Sequence, residues 1–452
     1  MKYGFKTSLL ASLVAGLFVP AAAWALEGGH ELELVAKTVY WNDKSVANQA
    51  TATAVSYQQA AQGLQLNYKS PYVSDWIGFD ASLYGVVKLS DSGTPTTSLL
   101  EVGNNGKLAD SNLALARAVI KMKFNDFAQI DLGRQLQNGL LLKSSGTRAV
   151  PDTYSGISGS VTPSANTRFY GAVYDQWRAR SSADFEKFKT ESTAAGVPNA
   201  IDYISILGAS YIQGPVAITA EYLNSKDYMD KYGVVAAYTI PLEKDALKLS
   251  AGLFNSKDAG RLFVCGAEKE VDCTGTDAVP NNATGIYLDA DWKLANWTLG
   301  AAVSKFDGLW IEDNFAANAV KTGSLNQDHG TNPFPTSSAL GPDFANNGES
   351  VWSARLAYNW KSFVPGLSTA LKYVNGTGAK SSNRTNTAVG NETYRELTVK
   401  YEVPAVQNLS VSYIYGSYNS GVDNYTATAN VKGMTRSSWE NDRLYIDYSY
   451  KF

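Results

Sequence analysis

The sequence predicts an all-β fold, a transmembrane antiparallel β-barrel of about eighteen strands with short turns on one rim and long loops on the other. Three observations predict it. Apolar and polar residues alternate with period two through most of the chain, the connections alternate short and long, and the last segment sends apolar and polar residues to opposite faces.

The chain opens with Lys2 and Lys6, an apolar run from Leu9 to Val19, and small residues ending at Ala23-Trp24-Ala25. That order of basic, apolar and small residues predicts a secretory signal over residues 1–25, leaving a barrel domain at 26–452. No later stretch approaches the roughly 20 continuous apolar residues that a spanning helix needs. In lipid only helices and closed barrels pair all their backbone polar groups, so a membrane location here requires a barrel. Removing Lys2 and Lys6 moves the formal charge from −3 to −5, too mild a balance to argue for a nucleic-acid partner. With 27 Tyr, 16 Phe, 10 Trp and 38 Gly, the composition suits aromatic girdles and many hairpins.

Period-two segments lie near 32–41, 57–68, 76–89, 113–124, 127–133, 154–161, 167–174, 203–212, 215–223, 232–240, 246–254, 284–293, 297–304, 351–360, 366–374, 394–402, 407–415 and 439–452. Connections after the even members are short, such as Asn125-Asp126, Gln213-Gly214 and Leu294-Ala295-Asn296. Connections after the odd members are long, from 42–56 to 416–438, with 224–231 the one short exception. This rhythm places the long loops on one rim and both termini on the other, as in bacterial outer-membrane barrels.

In the last segment Leu444, Ile446, Tyr448, Tyr450 and Phe452 fall on one face, and Arg443, Asp447, Ser449 and Lys451 on the other. One face suits hydrocarbon and the other water. The same parity sends Lys37, Lys121, Lys123, Arg355, Lys372, Lys400 and Arg443 into a lumen, joined there by Asp80, Asp289 and Asp291. Fixed cations in a narrow channel concentrate anions, while the acidic residues give the wall a mixed character that would orient a dipolar solute. Loop 134–153 carries Arg134, Lys143 and Arg148 among Gly, Ser and Leu, a composition able to fold inward.

Cys265 and Cys273 lie in polar sequence and predict a small loop disulfide, since an exported chain meets an oxidising compartment and no His stands nearby to complete a metal site. The sequence calls for no cofactor. The histidines, His30 and His329, have no Ser at a spacing that would make a nucleophile and base, which argues against an enzyme. A structural or adhesive barrel is the remaining rival, because long loops also suit surface recognition.

Several stretches resemble the OprD-type family, the outer-membrane carboxylate channels of pseudomonads and their relatives. They are QGLQLNYKSPY at 62–72, GFDASLYGVVKL at 78–89, TRAVPDTYSG at 147–156, GESVWSARLAYNW at 348–360, VPGL at 364–367 and KYVNG at 372–376. The resemblance implies a monomeric porin of the bacterial outer membrane that passes small solutes, sits in outer-membrane lipid and is inserted by the assembly machinery. It also implies a third loop folded into the lumen and a basic ladder guiding carboxylates or amino acids. Carried over residue by residue, Arg148 is the third-loop Arg, and Lys37, Lys121, Lys123, Arg355, Lys372, Lys400 and Arg443 match the ladder. Ser412 and Ile414 depart from it where the family often has Arg, and Asp289 and Asp291 add negative charge. These departures leave an aromatic or sugar-like neutral solute, stacking on Tyr84 and Tyr287, as a competing reading.

Overall fold

The computed structural model describes residues 27–48, 55–103, 105–190, 200–243, 245–263, 282–311, 313–319, 324–341, 343–381, 386–426, 431, 434 and 436–452. The signal segment and the cysteine pair expected above lie outside these residues. Among them, no helix is long and apolar enough to cross a membrane.

Alternating side chains and Gly- or Asn-containing turns build an antiparallel wall. Its first seven strands are β1 (Glu31–Asn48), β2 (Val55–Lys69), β3 (Ile77–Gly93), β4 (Ser111–Phe124), β5 (Ala128–Gln135), β6 (Thr153–Ser164) and β7 (Thr167–Arg178). Two short strands, β8 (Glu186–Lys189) and β9 (Ala200–Ile201), follow inside a loop. The wall resumes with β10 (Ile204–Gln213), β11 (Val216–Ser225), β12 (Met229–Pro241), β13 (Ala246–Asp258), β14 (Asn282–Leu294) and β15 (Trp297–Asp307). A second loop holds β16 (Asp313–Ala319) and β17 (Ser324–Gly330), and β18 (Ser350–Asn359), β19 (Leu367–Lys380), β20 (Val389–Glu402), β21 (Leu409–Val422) and β22 (Arg436–Lys451) complete the ring.

Each wall strand pairs with its neighbour, β7 with β10 and β15 with β18 across the loop strands. The ring closes where β1 pairs with β22, from Glu33↔Lys451 to Trp41↔Arg443 and beyond. Eighteen strands thus form the wall, the number expected, and closure leaves no unpaired sheet edge. The four loop strands are additions: period two over so few residues gave no signal within long polar loops. A further correction concerns Arg134. It belongs to β5 rather than to the third loop, shares the outward parity of Leu132, and stacks 4.3 Å from the Phe185 ring.

The outer face is apolar. Leu207 and Leu288 are 66% and 62% exposed, values that in water would be costly for leucine and in hydrocarbon are favourable. Trp76, Phe127, Tyr238, Trp297, Trp360 and Phe363 are exposed around the rim of short turns, with Trp297 and Tyr358 rings 4.4 Å apart, forming an aromatic girdle. Leu288 lies midway along β14. Replacing it with arginine should lower barrel stability by about 2–4 kcal/mol, the cost of a cation at the bilayer midplane. Urea unfolding from lipid vesicles measures this, with Tyr287→Phe on the lumen face as the control.

The buried core is not between sheets but inside the ring. It consists of lumen-facing wall residues such as Phe254, Tyr287 and Phe306 packed against loop residues Trp310 and Phe334. These described loop residues therefore lie inside the barrel.

Candidate functional site

Alternation along β1 turns Lys37, Val39 and Trp41 inward, and the third long loop, residues 136–152, meets them there. Lys37 Nζ donates to the Gly146 carbonyl at 2.6 Å, and the Arg148 guanidinium lies 3.7 Å from the centre of the Trp41 ring. On β2, a Cβ at Gly63 would stand 2.2 Å from the Ala149 carbonyl oxygen, so glycine alone lets the loop lie this close to the wall. The loop's other flank is held by β11. The Glu221 carboxylate accepts the Leu140 and Leu141 backbone N–H groups at 3.0 and 2.7 Å, pairing donors that would otherwise be buried alone. Along the ring β11 stands eight strands from β1, close to half-way round, so residues 136–152 cross the lumen between facing walls. The inward third loop implied by the resemblance is thus present.

Described residues of a second segment, 308–311 and 331–341, also turn inward. Arg443 Nη2 donates to Leu340 O at 3.2 Å, Lys372 Nζ to Pro335 O at 3.1 Å and to Ser337 O, and buried Lys231 Nζ to Ile311 O at 2.6 Å. The two loops join where Asn314 Nδ2 donates to Leu141 O at 2.8 Å and the Lys143 N–H to Thr331 Oγ1 at 3.1 Å.

Beside the third loop three guanidiniums gather. Arg443 lies 3.5 Å from the centre of the Trp41 ring, and two planar cations at such distances must occupy its opposite faces. Arg180 donates to Ser145 Oγ and Thr147 Oγ1 at 3.1 and 3.0 Å. None of the three forms an ion pair with a described carboxylate; the described pairs lie elsewhere. Burial first, and then the charges of Arg180 and Arg443, push Arg148 well below its ordinary value. A guanidinium stays protonated in proteins, so this depression means an under-compensated positive charge that an anion would relieve. Arg148 keeps part of its surface open to receive one.

The other basic positions face the lumen but are already compensated. Lys121 pairs with Asp80 at 2.7 Å, and Arg117 reaches the same carboxylate at 3.5 Å. Lys123 pairs with Asp75 at 3.4 Å, and both lysines sit over Tyr72 at the turn-side mouth, away from the third loop. Lys400 pairs with Glu402 at 2.8 Å at the same mouth, and Lys37 lies 3.8 Å from Asp447. Arg355 bonds Asp289 and, at 2.9 Å, Asp291. It reaches β14 across Gly300 of β15, where a Cβ would lie 2.6 Å from Arg355 Nε.

Tyr84 and Tyr287 do face inward, yet neither offers a free stacking surface. Tyr84 is buried beside Arg178, and Tyr287 is covered by Phe254 and Phe334. Ile414 packs under the loops as part of the filled lumen. Sequence reasoning missed Trp41, Arg180 and Glu221. The inward parity of Trp41 beside Lys37 was available as a signal; nothing local marked Glu221, whose partners lie 80 positions away.

A closed eighteen-stranded barrel with an apolar exterior and a charged lumen crossed by loops defines an outer-membrane channel. The family model for the outer membrane porins of the OprD family matches residues 26–452, and the chain belongs to that family. Porin D of Pseudomonas aeruginosa is 24% identical over 350 residues, covering 74% of this chain and 71% of Porin D. The crystal structure of Pseudomonas aeruginosa OpdK with vanillate superposes with a TM-score of 0.73 at 18% identity, covering 94% of this chain and 99% of OpdK. Acinetobacter baumannii OccAB2 gives 0.73 at 20% identity, covering 94% and 98%. At such identities the two structures establish a common fold. Family and fold are those of channels, not of enzymes.

Proposed function

We propose that this porin passes small carboxylates, selected where Arg148 and Arg443 flank Trp41. The observation that carries the reading is that these two cations lack a described acidic partner while Lys121, Lys123, Arg355 and Lys400 each have one. A carboxylate about 4 Å from one guanidinium gains about 4 kcal/mol at an effective dielectric near 20, enough to offset part of its lost hydration. Ion-paired cations give a passing anion much less, because their field is largely cancelled. Trp41, 3% exposed beside the two guanidiniums, positions them rather than meeting solute; the vanillate in the OpdK structure carries the carboxylate that such a pair attracts. The same reading takes residues 1–25 as a removed export signal and the barrel as a monomer. Covered Tyr84 and Tyr287 weaken the alternative of a neutral sugar stacking on the wall.

Liposome swelling with gluconate, glucose and glucosamine, three solutes of similar size, tests this. Gluconate should enter fastest and the glucosamine cation slowest. Equal rates, or glucose fastest, would reject carboxylate selection.

A further inference from the structure

Two carboxyl groups meet where the inward segment returns to the wall, at the long-loop end of the lumen. Glu349, the last residue before β18, is 0% exposed, and Glu392, inward on β20, is 2% exposed. The Asn346 side-chain amide donates to both, to Glu349 Oε2 at 3.0 Å and to Glu392 Oε1 at 3.1 Å. The Asn346 N–H also donates to Glu349 Oε2 at 3.0 Å, and the Tyr418 hydroxyl of β21 donates to Glu392 Oε2. A side-chain hydrogen bond joins the two carboxyls directly.

That bond requires a proton. An ionised carboxylate only accepts, so two of them cannot bond, and in a space closed to water their charges would repel with little screening. No other described group donates to Glu349 Oε1. Gly376 of β19 backs that oxygen so closely that a Cβ there would overlap it, which leaves no space beside it for a metal ion. The surrounding charges do not replace the proton: Lys305 of β15 bonds Gly348 O and Ser350 Oγ at 2.8 Å each, and Asp343 is a further anion acting on Glu392. Behind Tyr418, β22 presents Trp439, which does not titrate, and Tyr394 and Glu396, further down β20, bond each other at 2.7 Å.

We propose that Glu349 and Glu392 share one proton, and that losing it at alkaline pH frees the inward segment from the wall and widens the channel. With the proton in place, Glu349 and Asn346 pin the end of the segment to β20. Nearby bonds extend that anchorage, from the Trp310 N–H to Ala345 O at 3.1 Å and from Asn332 Nδ2 to Asp343 O at 3.3 Å. The same segment caps Lys372 at Pro335 and Ser337 and Arg443 at Leu340. Once both carboxyls are charged, their repulsion drives Glu349 off β20, and the cap leaves with it. The channel is therefore narrow on the acid side of this ionisation and wide on the alkaline side.

Single-channel conductance in planar bilayers, read from about pH 6 to about pH 9, tests it, since buried glutamic acids lose their protons within that range. The unmodified channel should gain roughly two-fold in conductance on the alkaline side, reversibly and with added current noise. Glu392→Gln keeps an uncharged donor beside Glu349 and should hold the low conductance at every pH, and Glu349→Gln should do the same. A conductance indifferent to pH in the unmodified channel, or a step that persists in either variant, would overturn the shared proton. Opening by EDTA at the acid end would overturn it too, by showing a metal ion in the proton's place. The readout is the change with pH within one channel, so a variant with altered basal conductance still reports, and solute preference has no bearing on it.

Discussion

Glu221→Ala should open the channel, raising single-channel conductance in planar bilayers roughly two-fold or more, toward that of wide porins of similar strand number. Glu221 is 3% exposed and grips the third loop through the Leu140 and Leu141 amides, while Tyr170 donates to it from β7. Each such bond contributes about 1–3 kcal/mol, and losing both amide contacts leaves buried donors alone. A latch weakened by about 3 kcal/mol changes the ratio of docked to released loop by about a hundred-fold. Gly146 and Arg148 hold the loop at the opposite wall, and on the Glu221 side the bond from Tyr174 of β7 to Gln137, 2.7 Å, remains beside the contacts with Asn314 and Thr331. Glu221→Gln keeps an oxygen acceptor and should fall between the two. Unchanged conductance and noise in Glu221→Ala would mean that the contacts with residues 308–349 hold the loop unaided.

The double substitution Arg148→Gln/Arg443→Gln should lower gluconate flux by about ten-fold, which corresponds to about 1.4 kcal/mol of lost attraction. Glucose flux should stay within about two-fold, since size and wetting of the passage change little. Replacing the compensated pair Lys121 and Lys123 by glutamine should have a much smaller effect. Asp80 and Asp75 already cancel most of their field, and both lie at the turn-side mouth. A comparable loss from the two pairs would show that the ladder acts as a whole and that Trp41 has no special place in it.

Period two made the wall legible. A strand in contact with lipid on one side and water on the other must alternate, so Leu444, Ile446, Tyr448 and Tyr450 could be assigned outward and Arg443 and Asp447 inward without knowing their neighbours. The assignment survived even a bulge. Between Ser82 and Leu83 the pairing with β4 shifts by one residue, which leaves Leu113 and Leu115 outward while Arg117, Lys121 and Lys123 remain inward.

The interior of the lumen was far less legible, because its contacts join residues that no local pattern connects. Arg355 looked like a free rung of the ladder; only the register of β14, β15 and β18 shows that Gly300 lets it reach Asp289 and Asp291. Lys372 likewise reads as an open cation, but residues 308–349 cap it with two carbonyls. The composition of residues 134–153 suggested an inward fold, yet the partner that holds it, Glu221, sits in a strand with ordinary alternation. Parity says which side chains enter the lumen. Which of them meet there depends on ring closure and loop descent, both non-local.

The zero-current potential of the unmodified channel under a ten-fold potassium chloride gradient tests the central claim most directly. Uncompensated guanidiniums beside Trp41 predict a potential of the sign set by chloride, shrinking as salt on both sides is raised and screening shortens. A potential of the opposite sign, set by potassium, would mean that Asp131, Asp447 and their neighbours govern the lumen, contradicting the account.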